Sequence, residues 1–170
     1  MTNRATPRDQ DRQIDELRAR IAELEEALRT AHLDPQFAIL TRAGIDARWH
    51  QRPGHADTVV FFDLDQVHGH NARWGYAETD SRIATVMAQV GDNWIFRWFS
   101  GDEFGLVCTA SDALGFAARV QELLRTQGLT GTFGIARIVD NDLKASVAAA
   151  AALVQAAKAL GLRGTINSTL

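Results

Sequence analysis

Near the N-terminus apolar residues recur at steps of three and four. Ile14, Leu17, Ile21, Leu24, Leu28 and Ala31 form one narrow seam, with Asp15, Glu16, Glu23 and Glu26 lying off it. This is the a/d pattern of a heptad repeat. Thr6-Pro7 offers an N-cap followed by a first-turn proline, so the helix is expected to start there. Ile at the early a positions with Leu at d favours a parallel two-stranded coil, in which Arg20 and Glu25 pair across the dimer as g and e residues. The competing reading is an amphipathic helix lying on its own domain. The seam is short and needs support from whatever follows it.

Asp34-Pro35 breaks that register, and the pattern beyond it changes. A short helix is predicted at 36–49, then a loop through Arg52-Pro-Gly-His55 and a buried strand at 58–63. A helix at 76–90 precedes a hairpin of 94–99 with 104–108. A helix at 111–126, a strand at 131–138 and an Ala-rich helix at 143–160 complete the series, with Thr165-Ile166 as a last edge strand. Gln155 and Lys158 inside the Ala-rich stretch, and the weak hydrophobicity of Ala, make it a packed helix and not a membrane span. Strands alternating with helices around one central hairpin predict an α/β fold with a mixed sheet flanked by helices. The expected division is a coiled-coil helix over 1–33 and a globular domain over 34–170.

Composition narrows the function. A chain of 170 residues with a net charge of −3 lacks the basic excess of a general nucleic-acid binder. A phosphate site is still open to it, since a few backbone amides and one metal suffice. The single cysteine, Cys108, has no partner for an intrachain disulfide and is expected to be a buried, inert thiol. No run is long and apolar enough to span a membrane, and the N-terminus has no apolar leader segment. A cytoplasmic, soluble protein is expected.

Two segments carry the chemistry. Val59-Val-Phe-Phe-Asp-Leu-Asp65 runs an apolar strand into carboxylates, and Ser100-Gly-Asp-Glu-Phe104 sits at the turn between two strand-like runs. Each brings acids to a strand end, where two could share a divalent metal, the layout a nucleotidyl-transfer site needs.

These segments resemble the GGDEF domain, the diguanylate cyclase family. Asp34-Pro35, with Arg42 beyond it, stands where that family has D-x-L-T-G-L-x-N-R. Phe62-Asp-Leu-Asp65 resembles its F-x-D-x-D strand, and Asn71, Gly75 and Asp80 fall at the spacing of N-D-x-x-G-H-x-x-G-D. Ser100-Gly-Asp-Glu-Phe104 is similar to the signature with its first Gly replaced. Gly131-Thr-Phe-Gly-Ile-Ala136 resembles the S-x-G-I-A strand, and Ala157-Lys158 the end of the A-L-Y-x-A-K helix. Each match alone is weak; their order along the chain carries the resemblance.

The resemblance implies a palm-like domain in which the 3′-hydroxyl of one GTP attacks the α-phosphate of another. It implies Mg²⁺ or Mn²⁺ held by Asp63, the Leu64 carbonyl and Asp102. Glu103 would assist the metals or bind the nucleophile, Gly101 would let the substrate approach, and Lys158 would act with Asp102 and Glu103 in catalysis. Asp65 reads equally as a metal contact or as a structural hydrogen-bond partner. The amides of Gln66, Val67 and His68 would cradle the outer phosphates, and Ser100 would place a Cβ against the substrate. Asn71 and Asp80 would read guanine, because an aspartate accepts from its N1–H and N2 amino donors. The alternative for this pair is a loop Asn71 and a helix-capping Asp80.

Several positions depart from the pattern. His68 replaces a phosphate-contacting lysine, Trp98 stands where an arginine precedes the signature, and Arg97 is one position off. Leu162 replaces a second arginine, with Arg163 a step late, and no R-x-x-D precedes the signature. No product-inhibition site of the familiar kind is expected. The leading expectation is a coiled-coil homodimer condensing two GTP to cyclic di-GMP, with neither nucleic acid nor membrane as partner. The rivals are an impaired GTP-binding or dimerisation module and a palm cyclase making another nucleotide product.

Overall fold

The computed structural model describes residues 7–52, 54, 56–91, 94–99 and 101–170, with the side chains of 7–9 and 29 excepted. In chain order the elements are α1 (Pro7–His32), α2 (Arg42–Gln51), β1 (Thr58–Leu64), α3 (Val67–Trp74), α4 (Tyr76–Val90), β2 (Ile95–Arg97), β3 (Glu103–Cys108), α5 (Ala110–Thr126), β4 (Gly131–Arg137), α6 (Leu143–Ala159) and β5 (Ile166–Ser168). The five strands form one sheet in the order β2-β3-β1-β4-β5. β1 is antiparallel to both β3 and β4, β2 is antiparallel to β3, and β5 runs parallel to β4. The sheet is therefore mixed, with β1 at its centre.

Every residue of β1 is buried, as expected of a central strand covered on both faces. On one face Phe62 stacks between Phe104 and Phe133, with ring centroids 5.5 and 5.1 Å away. Leu124 of α5 packs on this side, against Gly131. The opposite face carries Val59, Phe61 and Asp63 and is covered by α6. A Cβ at Gly134 would sit 2.0 Å from the Ala150 carbonyl, so the Gly and the Ala-rich helix together permit a close crossing. That crossing fixes where the last turn of α6 meets the end of β1.

The segment between α1 and α2 is a built turn. The Asp34 carboxylate accepts from the amides of Gln36 and Phe37, both at 3.0 Å, and the Asp34 amide donates to the Ile39 carbonyl at 2.7 Å. Ala38 adopts φ 55° there, a left-handed conformation that an L-residue takes at a cost. Thr41 then caps α2, accepting from the Gly44 amide at 3.1 Å. The helix expected at 36–49 thus begins only at Arg42, because side-chain caps at Asp34 and Thr41 take the preceding amides. Leu40 continues as a bridge beside Phe96, which stitches the turn to the free edge of β2.

Other expectations shift by a few residues. The first hairpin strand is shorter than foreseen, the second starts one residue earlier, at Glu103, and β5 lies at 166–168. α3 was not foreseen, and none of its residues is fully buried, so it offers no apolar period to read. Cys108 is half-buried, not buried. The expected cap at Thr6 lies outside the described residues.

α1 does not lie on its own domain. Ile14, Leu17, Ile21, Leu24 and Leu28 are between 46% and 56% exposed. Among the described residues its C-terminal end is what is tied down, where the carbonyls of Ala31 and His32 accept from the Thr41 hydroxyl and amide at 3.3 and 2.9 Å. Within the single chain Arg20 pairs with Glu23 at 2.8 Å. Among the described residues no helix is long and apolar enough to cross a membrane.

Candidate active site

The C-terminal end of β1 gathers the acids and one cation. Asp63 and Asp65 are both buried, with Leu64 between them. Lys158, in the last turn of α6, bonds Asp63 Oδ1, lies 3.3 Å from Asp65 Oδ1 and donates to the Leu64 carbonyl at 3.3 Å. Asp65 has further partners. It accepts from the Thr132 hydroxyl at 2.9 Å and the Gly164 amide at 3.0 Å. Of its two readings, the structural one is what these bonds describe. Thr132 and Gly164 were not singled out in the sequence; Thr132 was legible only as the residue two before Gly134, and so on the same strand face.

The signature hairpin brings its acids alongside. Glu103 pairs directly with Asp63 across β1 and β3, and the Asp102 carbonyl accepts from the Leu64 amide at 3.0 Å. Like charges directly opposite repel. Burial pushes the Asp63 carboxyl above its usual range; the Lys158 ammonium opposes this, and Asp102 and Asp65 add to it. Burial also raises Glu103, followed by the charges of Asp63 and Asp102. The three acids therefore sense one another and favour any added positive charge.

Gly101 has φ 89°, and a Cβ there would meet open space, so the backbone angle is what demands glycine. Its carbonyl accepts from Arg97 Nη2 at 2.9 Å. The same guanidinium bonds Asp34 at 2.9 Å and Gln36 at 3.1 Å and lies over the Phe37 ring. Arg97 is thus held as a clasp between the chain's turn and the hairpin. Trp98 is buried, with Arg42 stacked over it at 4.5 Å. Arg163 is exposed and Leu162 is 49% exposed. Ser100 lies outside the described residues.

Beyond β1 the chain turns through Gln66, which has a left-handed φ of 56°, into α3. The amides of Gln66, Val67 and His68 stand at this helix start, where N–H groups lack intrahelical partners. His68 is exposed. Asn71 lies on α3, and its Oδ1 is buried with no hydrogen-bond partner. Asp80 is half-buried on α4, which packs against α3. The N-cap of α4 is Gly75, so Asp80 is not the helix cap that the alternative reading required. Both groups present acceptor oxygens.

Among the described residues no three His, Cys, Asp or Glu side chains converge tightly enough to hold a metal. The donor set is smaller: the Asp63 carboxylate and the Leu64 carbonyl, meeting on one ammonium, with Asp102 and Glu103 adjacent. Hard oxygen donors of this kind suit Mg²⁺ or Mn²⁺, and a short protein set suits a cation whose other ligands are substrate phosphates and water. The residues fit a hard divalent cation whose remaining ligands come from outside the chain.

No protein-family model and no curated protein matches the sequence. Solved structures do match. The diguanylate cyclase SiaD of Pseudomonas aeruginosa, solved with its activator SiaC, has a TM-score of 0.70 at 22% identity, over 94% of this chain and 70% of that one. The coiled coil and GGDEF domain of DgcB from Caulobacter crescentus, in complex with c-di-GMP, also gives 0.70, at 20% identity over 95% and 96%. The S helix-GGDEF-EAL unit of Vibrio cholerae LapD, bound to c-di-GMP, gives 0.68 at 15% identity over 89% and 40%. The chain has the fold of a GGDEF domain. The N-terminal helix is within the likeness, since the DgcB match extends over nearly all of both chains.

Proposed function

We propose that the protein is a metal-dependent nucleotidyl cyclase that joins two GTP molecules into cyclic di-GMP, acting as a homodimer through α1. The observation that carries this is the position of Asp63 and the Leu64 carbonyl around one cationic centre, with Asp102 and Glu103 beside it, at the strand end of a GGDEF-domain fold. In each of two transfers a 3′-oxygen forms a bond to an α-phosphorus. The bond from that phosphorus to pyrophosphate breaks, its electrons leaving with pyrophosphate and the hydroxyl proton passing to solvent or a nearby acid. Mg²⁺ or Mn²⁺ would neutralise the charge that develops.

This chain's residues supply the rest. Asp63, the Leu64 carbonyl and Asp102 would hold the metal, and Glu103 would lie beside the nucleophile. The amides of Gln66, Val67 and His68 would take phosphate oxygens, and Gly101 would keep the hairpin turn open to the substrate. The acceptor oxygens of Asn71 and Asp80 match the N1–H and N2 donors of guanine, and the unpartnered Asn71 Oδ1 supports this reading. The exposed α1 seam supports the dimer, which two half-sites facing each other require.

A second reading is favoured by the cations. Arg97 is engaged with Asp34 and Gly101, Trp98 is in the core, and His68 stands where a lysine would serve. On that reading the protein binds GTP and dimerises without turnover. Incubating the purified chain with GTP and Mn²⁺ and weighing the products separates the two: cyclic di-GMP supports the cyclase, and unchanged GTP with measurable affinity supports the module. Adding ATP in competition identifies a different cyclic product.

A further inference from the structure

Lys158 stands among three oxygens: Asp63 Oδ1, the Leu64 carbonyl at 3.3 Å and Asp65 Oδ1 at 3.3 Å. Of its three N–H donors, two are bonded, to Asp63 and the Leu64 carbonyl, and Asp65 adds an ion-pair contact. The arrangement is largely out of water, with the Lys158 and Asp63 side chains 18% and 13% exposed. Unpaired, either ion would be costly there. Two of the three oxygens, on Asp63 and Leu64, are those that the proposed reaction gives to a divalent cation. An ammonium and a metal ion cannot occupy that position together.

We infer that Lys158 is the resident counter-ion of the metal position in the free protein and leaves it when a divalent cation binds. The inference rests on the metal-dependent nucleotidyl-transfer reading and adds an order of events to it. Asp65 stays in place, because Thr132 and Gly164 hold its oxygens independently of the lysine. Asp63 and the Leu64 carbonyl are the groups released. The displaced ammonium remains anchored by α6 at the mouth of the site, where a polyphosphate offers it new oxygens. Metal binding and phosphate binding are then coupled through one side chain, with Lys158 neutralising the acids before the metal arrives and the phosphates afterwards.

The chain contains only two lysines, Lys144 and Lys158. Lys144 is exposed in the first turn of α6 and serves as an internal reference. Acylation of the full chain by an amine-reactive ester, without nucleotide, gives the relative reactivity of the two by mass spectrometry. Mn²⁺ is expected to accelerate Lys158 several-fold relative to Lys144, over the same concentrations at which the free Mn²⁺ resonance signal is lost. In parallel, Lys158→Met is expected to bind Mn²⁺ about tenfold more tightly than the unaltered protein, because the binding-competent form no longer has to be drawn from a minor population. Metal-free Lys158→Met should also melt below the unaltered protein, and Mn²⁺ should restore it. Asp63→Asn should remove Mn²⁺ binding from both backgrounds.

Mn²⁺ binding through Asp63 with equal affinity in both proteins, or with Lys158 reactivity unmoved, overturns the inference and leaves the metal reading standing. No Mn²⁺ binding by either protein overturns both. If Lys158→Met does not fold, the acylation ratio on the unaltered chain decides alone.

Discussion

The two ends of the candidate site are built differently. At the end of β1, Asp63 and Asp65 are buried, cross-braced by Lys158, Thr132 and Gly164, and tied through the sheet to the signature hairpin. On α3 and α4, Asn71 and Asp80 lie nearer the surface, and Asn71 Oδ1 has no hydrogen-bond partner among the described residues. The first end holds a charge arrangement ready; the second holds unspent acceptors. Chemistry that depends on charge needs a preorganised environment, whereas base recognition can be completed by the ligand's own donors. Under the proposed function, this contrast would place the reaction at the sheet and the choice of substrate on the two helices.

The sharpest way to break the contrast is Asp63→Asn. It is expected to lower nucleotidyl transfer by about a thousandfold or more, as loss of a principal electrostatic element does, while circular dichroism shows an intact fold. A variant that unfolds with its nucleotide affinity intact would make Asp63 a structural residue. Next in size is Leu17→Asp with Leu24→Asp. Sedimentation should show monomers with the globular domain folded and turnover reduced to background. A double variant that remains dimeric removes α1 as the dimeriser.

A smaller effect is expected at the base-reading end. GTP should bind in preference to ATP by between a few-fold and about a hundred-fold, the range for one or two buried polar groups left unpaired. Asp80→Ala should erase most of that preference without moving Mn²⁺ binding at Asp63. Equal titration curves for the two nucleotides on the unaltered protein would sink the guanine assignment.

The smallest effect tests the crowded acids. Because the folded state raises the Glu103 carboxyl, it binds that proton at pH values where the unfolded chain has lost it. Stability contributed here therefore falls as pH rises through that window. Glu103→Gln should raise the melting temperature of the metal-free protein at neutral pH. The gain should disappear below the ordinary glutamate value of about 4.3, where both states are protonated. A gain that persists unchanged in acid would mean that packing, and not charge, is responsible.

How much of this was legible in the sequence follows from physical range. β1 and its acids were readable because a continuous apolar run ending in carboxylates has few other uses, and α4 and α5 because their apolar periods are long. The start of α2 was misplaced because Asp34 and Thr41 decide it through side-chain caps, which compete with helix propensity at short range. α3 was missed because nothing in it is fully buried. The resemblance alone put Lys158 with the acids; its bonds to Asp63 and the Leu64 carbonyl depend on the close crossing at Gly134 and Ala150, which no local pattern encodes. The one-residue offset of Arg97 was legible as a departure from the pattern, but its engagement with Asp34, distant along the chain, was invisible.

That engagement has a mechanical consequence. At 1.5 Å per residue α1 is a rod about 39 Å long, and its fulcrum is the turn that Asp34 organises. The guanidinium of Arg97 grips that fulcrum with one nitrogen and the hairpin turn at Gly101 with another. The base of the rod and the hairpin turn at Gly101 are thus joined by one guanidinium, beside the backbone bonds by which Leu40 holds the same turn to β2.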